Sequence, residues 1–221
     1  MNDMKTVTVT AHSGSMGLPD NSIEAMEAGI LAGASIVEFD LRFLPDGAPI
    51  LSHDDPADAA VGLADAFALL QKYPGVCANV DVKDPCGLDA VVPLAKQMGV
   101  LDRLFYTGVG ENWVTTVKEK SPEIPYYLNA DVPESDDAPE NTTQAEAYAL
   151  LAEKTKRLGA VGINIHHSHL NAALLRAFRE AGLPVSVWTV NKPEDIARIT
   201  ALRPDNITTR RPDLVLAALG R

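Results

Sequence analysis

The sequence predicts a (β/α)8 TIM barrel with an extra short hairpin after the second strand, and three observations point there. Short β-branched runs alternate with helix-periodic segments along the whole chain, eight of each, the order of a closed parallel sheet wrapped by helices. The length of 221 residues suits one such barrel, and 46% hydrophobic against 22% charged residues supplies a substantial core. Several strand candidates also carry polar residues at every second position, so one face of each is apolar and the other is not. A doubly wound open sheet is the competing architecture. With no internal repeat and no linker, residues 1–221 read as a single domain without a large insertion.

The strand candidates, in order, are TVTVTAH (6–12), IVEFDLRF (36–43), CANVDVK (77–83), LFYTGV (104–109), PYYLNA (125–130), VGINIH (161–166), PVSVWTV (184–190) and NITT (206–209). A ninth short run, PILSH (49–53), follows the turn PDGAP and reads as a hairpin arm beside the second strand. The first helix, 21–33, has Asn21 and Glu24 at capping-box spacing, Ile23, Met26 and Ile30 on one face, and Gly33 as its stop. Further helical patterns occupy 63–73, 87–99, 110–121, 143–158, 168–182, 192–203 and 211–219, with Thr143 and Glu146 forming a second capping box. The acidic, proline-bearing stretch 129–144 reads as a solvated loop on the rim, with a mobile lid as its alternative.

Composition narrows the function. The net charge of −11, with no basic stripe, argues against nucleic acid, and an acidic protein that binds phosphate needs a cation to do so. No apolar run is long enough to span a bilayer and the first residues lack a secretion signal, so the expectation is a soluble, cytoplasmic protein without integral membrane association. Cys77 opens a strand and Cys86 lies past its far end, roughly 20 Å away at ~3.3 Å per residue. A disulfide needs Cα atoms within about 7 Å, so both are expected as thiols.

The alternation then selects residues. Glu38, Asp40 and Arg42 share one strand face, Asn79, Asp81 and Lys83 another, and Asn164 and His166 a third, while Val37, Phe39, Leu41, Val80 and Val82 face the helices. In a barrel the polar sets converge on the axis near the strand C-termini, where such barrels place their active sites. Carboxylates gathered in a confined mouth repel each other and are costly to desolvate unless a cation sits among them. An all-oxygen donor set suits Mg²⁺ or Ca²⁺, so Glu38, Asp40 and Asp81 are the expected ligands of one divalent cation. Ion pairing with Arg42 and Lys83 is the structural alternative. His12 ends the first strand and His53 the hairpin arm, and two imidazoles across a scissile bond form an acid–base pair near neutral pH. GSMG after His12 lacks the G-x-S-x-G elbow of a serine hydrolase, and HHSH (166–169) matches no usual zinc spacing.

Taken together, AHSG, PDNSIEA, VEFDLRFLPDGAPILSHDD, NVDVKD, VSVWTVN and DNITTRRPD resemble, in order and across nearly the whole chain, the glycerophosphodiester phosphodiesterase family. That family carries H-R-G, P-E-N-T, E-x-D, D-G-x-x-V-x-H-D, E-x-K, W-T-x-N and I-T-D-x-P. The resemblance implies a β/α barrel and a divalent metal on the E-x-D pair plus the acid of E-x-K. It further implies two histidines as acid and base, and hydrolysis of glycerophosphodiesters to glycerol phosphate and an alcohol. Asn21, Arg42, Lys83, Asn164 and Trp188 are the expected substrate or phosphate contacts, a core position being the alternative for Trp188. The chain departs from the pattern at Ser13, where the family has Arg, at Asp20 and Asp81, each one methylene shorter than Glu, and at the T-D-x-P segment, here Thr208-Thr209-Arg210-Arg211-Pro212. A literal PENT at 139–142 is read as coincidence. The span between His53 and Asp81 has no room for a covering insertion, so the mouth is expected to be open. The rival functions are a lipase D or sphingomyelinase D-like enzyme that stops at a cyclic phosphate, and a silent barrel that only binds phosphodiesters.

Overall fold

A computed structural model describes residues 6–55, 60–132 and 143–221. Eight parallel strands close into a barrel: β1 (Thr8–Ala11), β2 (Ile36–Phe43), β5 (Cys77–Val82), β6 (Leu104–Val109), β7 (Tyr126–Asn129), β8 (Gly162–His166), β9 (Val185–Trp188) and β10 (Asn206–Thr209). Closure is made by β1, which pairs in parallel with both β10 and β2. An open doubly wound sheet is thereby excluded. The hairpin is present as β3 (Pro49–Leu51), antiparallel to β2 with Leu41 opposite Leu51. It gains a further short arm, β4 (Val61–Gly62), too brief to carry an alternation in sequence.

Helices α1 (Ile23–Leu31), α2 (Leu63–Lys72), α3 (Val91–Met98), α4 (Val114–Lys120), α5 (Gln144–Leu158), α6 (Ala172–Glu180), α7 (Pro193–Leu202) and α8 (Pro212–Ala218) follow the strands in the expected order. The core lies between strands and helices. Val37, Phe39, Leu41, Val80 and Val82 pack with Leu63, Phe67 and Leu70 on one half. Val9, Ile163, Val185, Val187 and Ile207 pack with Leu174, Phe178 and Ile199 on the other.

Two capping expectations part ways. Thr143 accepts from the Glu146 N–H at 3.3 Å while its own N–H donates to Glu146 Oε2 at 2.8 Å, so α5 has its capping box. For α1 the cap is Ser22, whose Oγ accepts from Ala25 N–H at 3.2 Å, and not Asn21. Asn21 sits at φ 59° and turns its side chain inward to β2 instead. Of the acidic stretch, residues 133–142 lie outside the described residues, and with them the lid alternative and the PENT run. Cys77 and Cys86 are free thiols.

The approach of α1 to β1 depends on Gly29, where a Cβ would lie 2.4 Å from Ala11 Cβ. Gly29→Ala is expected to push the helix off the strand and cost about 1–3 kcal/mol, read as a lower midpoint in thermal or denaturant unfolding.

Candidate active site

The interior face of the barrel is polar on every strand, and the pairing register sets its layers. Glu38 lies opposite Asn79, Asp40 opposite Asp81, and Asp81 opposite Thr107. On the far side Asn164 lies opposite Asn129 and Ser186. The strand C-termini open into a cavity of about 460 Å³. His12, His53, Glu38, Asp40, Asp81, Lys83, Asn164 and Trp188, all expected at the site, line it together with Asn79, Thr107, Trp113, Asn129 and Thr208.

At the centre, ligand atoms of Glu38, Asp40 and Asp81 all fall within 4.8 Å of one another. Each is held. Glu38 Oε2 accepts the Ser13 N–H at 2.9 Å. Asp40 is clasped by Asn21, whose Nδ2 donates to Oδ2 at 2.9 Å while its Oδ1 accepts the Asp40 N–H at 2.9 Å. Asp81 Oδ1 accepts from Thr107 Oγ1 at 2.7 Å. Lys83 Nζ bridges Asp81 Oδ2 at 2.6 Å and Asp40 Oδ1 at 3.2 Å.

Half of the structural alternative is therefore present, but one ammonium cannot balance three carboxylates. Among the described residues, no lysine, arginine or histidine pairs with Glu38. Burial, and then repulsion from Asp40 and Asp81, push its carboxyl well above the ordinary range, against the Ser13 N–H and Lys83. The excess negative charge, the confined geometry and the oxygen-only donors fit a divalent cation. Burial works against the Lys83 charge, yet Asp81 and Asp40 outweigh it and raise its pKa.

Gly108, at φ 75°, makes room for this corner: a Cβ there would meet Val82 O at 2.5 Å and Asp81 Oδ1 at 2.9 Å. The register of β6 and β7 shifts across it, between Tyr106 and Val109.

The two histidines differ in surroundings. His12 is half-buried, with Nδ1 3.2 Å from Ser13 Oγ and, at the edge of hydrogen-bond range, 3.4 Å from Gly14 N. Burial and then Arg210 lower its pKa, opposed by Asp40, Asp20 and Asp81. His53 is exposed on the hairpin, its Nδ1 3.0 Å from Asp54 Oδ1. Trp188 is a rim residue with its ring edge-on to His166 at 5.4 Å, so the core alternative for it falls.

Two expected contacts stand behind the cavity wall. Asn21 reaches it only through Asp40. Arg42 turns from the axis to the hairpin, donating to His53 O at 3.0 Å and pairing with Asp55 at 3.2 Å. That position braces the backbone carrying His53. The HHSH run supplies no metal cluster; Glu38, Asp40 and Asp81 are the one such group among the described residues.

Thr107, Asn129 and Thr208 obey the same every-second-residue rule as Glu38, Asp40 and Asp81, on strands whose polar residues are uncharged. Trp113 ends the short 3-10 helix Glu111–Trp113 at the start of the helical pattern 110–121, and nothing in that pattern turned it toward the cavity. No periodic signal marked Arg210, which forms a two-pronged ion pair with Asp20 at 2.6 and 2.9 Å and donates to Gly14 O at 3.4 Å. A cation thus stands beside His12 although Ser13 carries none.

Comparison with known proteins agrees with this geometry. The model of the glycerophosphoryl diester phosphodiesterase family matches residues 12–84 and 88–214. The chain belongs to that family. Membership places it among the phosphoric diester hydrolases. A glycerophosphodiester phosphodiesterase of Caldanaerobacter subterraneus subsp. tengcongensis is 22% identical over 96% of this chain and 97% of its own. Among solved structures, an Oleispira antarctica phosphodiesterase in complex with the product sn-glycerol-3-phosphate superposes with a TM-score of 0.77 at 20% identity, covering 97% of both chains. The Agrobacterium tumefaciens glycerophosphodiester phosphodiesterase gives a TM-score of 0.75 at 20% identity, covering 98% of this chain and all of that one. At such identities the structural likeness speaks for the barrel fold.

Two outcomes follow for this cluster of charges. Glu38→Gln removes mutual repulsion, so its metal-free melting temperature is expected to rise above wild type while stabilisation by added divalent ion disappears; differential scanning fluorimetry reads both. Arg210→Gln removes a charge that opposes the imidazolium of His12 and frees Asp20, which favours it. Both changes raise the His12 pKa, so NMR titration of its ring protons should show the midpoint move upward from a wild-type position below the ordinary 6.5.

Proposed function

We propose that this chain is a metal-dependent phosphodiesterase that hydrolyses glycerophosphodiesters to glycerol phosphate and an alcohol, with His12 and His53 as the acid–base pair. The observation that carries the reading is the crowding of Glu38, Asp40 and Asp81 within 4.8 Å, beside both histidines in one cavity. The family match and the product complex of the Oleispira antarctica relative support the substrate class.

Those three carboxylates would hold the cation, Mg²⁺ or Ca²⁺ by their donor type, and a bound cation supplies charge to the non-bridging phosphate oxygens. His12, whose charged form burial disfavours, accepts the proton of the attacking group, either a water or the glycerol 2-hydroxyl, the latter closing a cyclic phosphate that a water then opens to glycerol phosphate. His53, oriented through Nδ1 by Asp54, donates a proton to the leaving alkoxide as its bond to phosphorus breaks. Lys83 offsets charge on the equatorial oxygens from its seat between Asp40 and Asp81. Asn21 and Arg42 act one step back, holding Asp40 and the His53 backbone.

No helix of the described residues is long and apolar enough to cross a membrane, and the free thiols support a reducing, cytoplasmic location.

The test is turnover of glycerophosphocholine by the whole chain after EDTA, with Mg²⁺, Ca²⁺ or Mn²⁺ returned. Glycerol phosphate released only with metal, and falling about 10²–10⁴-fold in His12→Ala and in His53→Ala, is the expected result. A persistent cyclic phosphate would select the lyase-like rival, and binding without turnover the silent barrel.

A further inference from the structure

The backbone of Arg210 is pinned on both sides: its N–H donates to Asn191 Oδ1 at 2.8 Å and its carbonyl accepts the Met16 N–H at 2.9 Å. The loop after β10 is thereby tied to the loops after β9 and β1 without help from the guanidinium. That group lies over Gly14, two residues past His12, where a Cβ would collide with Arg210 Nη1 and with Asp20. Asp20 takes Nη1 and Nη2 in a half-exposed pair, and among the described residues the Nε–H meets no acceptor.

Two departures from the family pattern meet at this spot. H-R-G reads His12-Ser13-Gly14, so the cation after the first histidine is gone and a fully buried serine replaces it. T-D-x-P reads Thr209-Arg210-Arg211-Pro212, so an acid has become a cation. Closure of β1 on β10 sets the two loops side by side, with His12 N–H donating to Thr209 O at 2.9 Å. The positive charge absent from one loop is thus present on its neighbour, held by the acid that stands in the P-E-N-T position. Lys83 is shared between Asp40 and Asp81, and Arg42 has turned to the hairpin. An anion seated beside those carboxylates therefore still needs a donor with charge on the His12 side, and a guanidinium edge matches phosphate oxygens in shape as well as sign.

We propose that Arg210 is a phosphate-binding residue of this chain, its guanidinium braced by Asp20 and donating to a non-bridging oxygen of the bound diester from the His12 side. The assignment rests on the phosphodiesterase reading and deepens it. Lys83 meets the phosphate from β5 and Arg210 from β10, so the two cations lie on either side of the entering group. Asp20 is a brace and makes no contact with substrate.

Isothermal titration of glycerol 3-phosphate into the whole chain, in saturating Mg²⁺ and at about pH 8, where an ordinary histidine is already neutral, reads the contact. Arg210→Gln should weaken binding about 10–100-fold, as expected for a lost hydrogen bond to a charged group. Asp20→Asn undoes the brace but keeps the cation, and its affinity should stay within about threefold of wild type, as for an exposed ion pair. Unchanged affinity in Arg210→Gln would overturn the assignment. Equal losses in the two variants would overturn it as well, because a pair that only joined the loops behaves that way. A wild type whose binding depends on Arg210 yet which leaves glycerophosphocholine intact keeps Arg210 as a phosphate ligand and removes the diesterase reading. Turnover of glycerophosphocholine with undiminished binding in Arg210→Gln does the reverse.

Discussion

Three carboxylates within 4.8 Å, two of them buried, are an arrangement a folded chain adopts only at a cost in free energy. The parallel register of β2 and β5 imposes it, by setting Asp40 beside Asp81 with Glu38 one layer below. Nearly every polar contact in the neighbourhood then reads as support for that cluster. Ser13 N–H takes one oxygen of Glu38, Asn21 at its positive φ takes one of Asp40, Thr107 takes one of Asp81, and Lys83 spans the last two. None of these removes the excess charge. A cation binding there gains what the fold has already spent in holding the oxygens together, which is how a preorganised site differs from a salt bridge.

The same register explains why the barrel interior is polar. Interiors of such barrels are commonly filled with branched aliphatic residues, whereas here Thr10, Asn79, Thr107, Asn129, Asn164, Ser186, Asn206 and Thr208 occupy the axis. Hydrogen bonds between neighbouring strands satisfy most of them, so the wall is rigid as well as hydrophilic. Apolar packing is left to the outer layer, where the helices cover Val37, Phe39 and Val80 on one side and Ile163, Val185 and Ile207 on the other.

Much of this was legible from sequence because it is local. A period of two along a strand decides which face Glu38, Asp40, Asp81 and Asn164 occupy, and barrel closure then brings those faces together. What depends on a single dihedral or on distant pairing was not legible. Asn21 stands at capping-box spacing and would serve α1, but its positive φ aims it at Asp40. Arg42 shares the strand face of Asp40, yet the antiparallel arm beside β2 offers it the His53 carbonyl and Asp55, and it takes them. Arg210 and Asp20 are 190 residues apart, and only closure of β1 on β10 makes them neighbours. Ser13 read as a missing cation, whereas the structure gives its backbone to Glu38 and its hydroxyl to His12, with Arg210 standing nearby.

Whether a cation seats among these carboxylates is read from a crystal grown with Mn²⁺, using anomalous scattering to locate the ion. One strong peak per chain is expected, bound by oxygens of Glu38, Asp40 and Asp81 and lost in Asp40→Asn. A map with no peak there, and Lys83 still bridging Asp40 and Asp81, would rule the metal centre out.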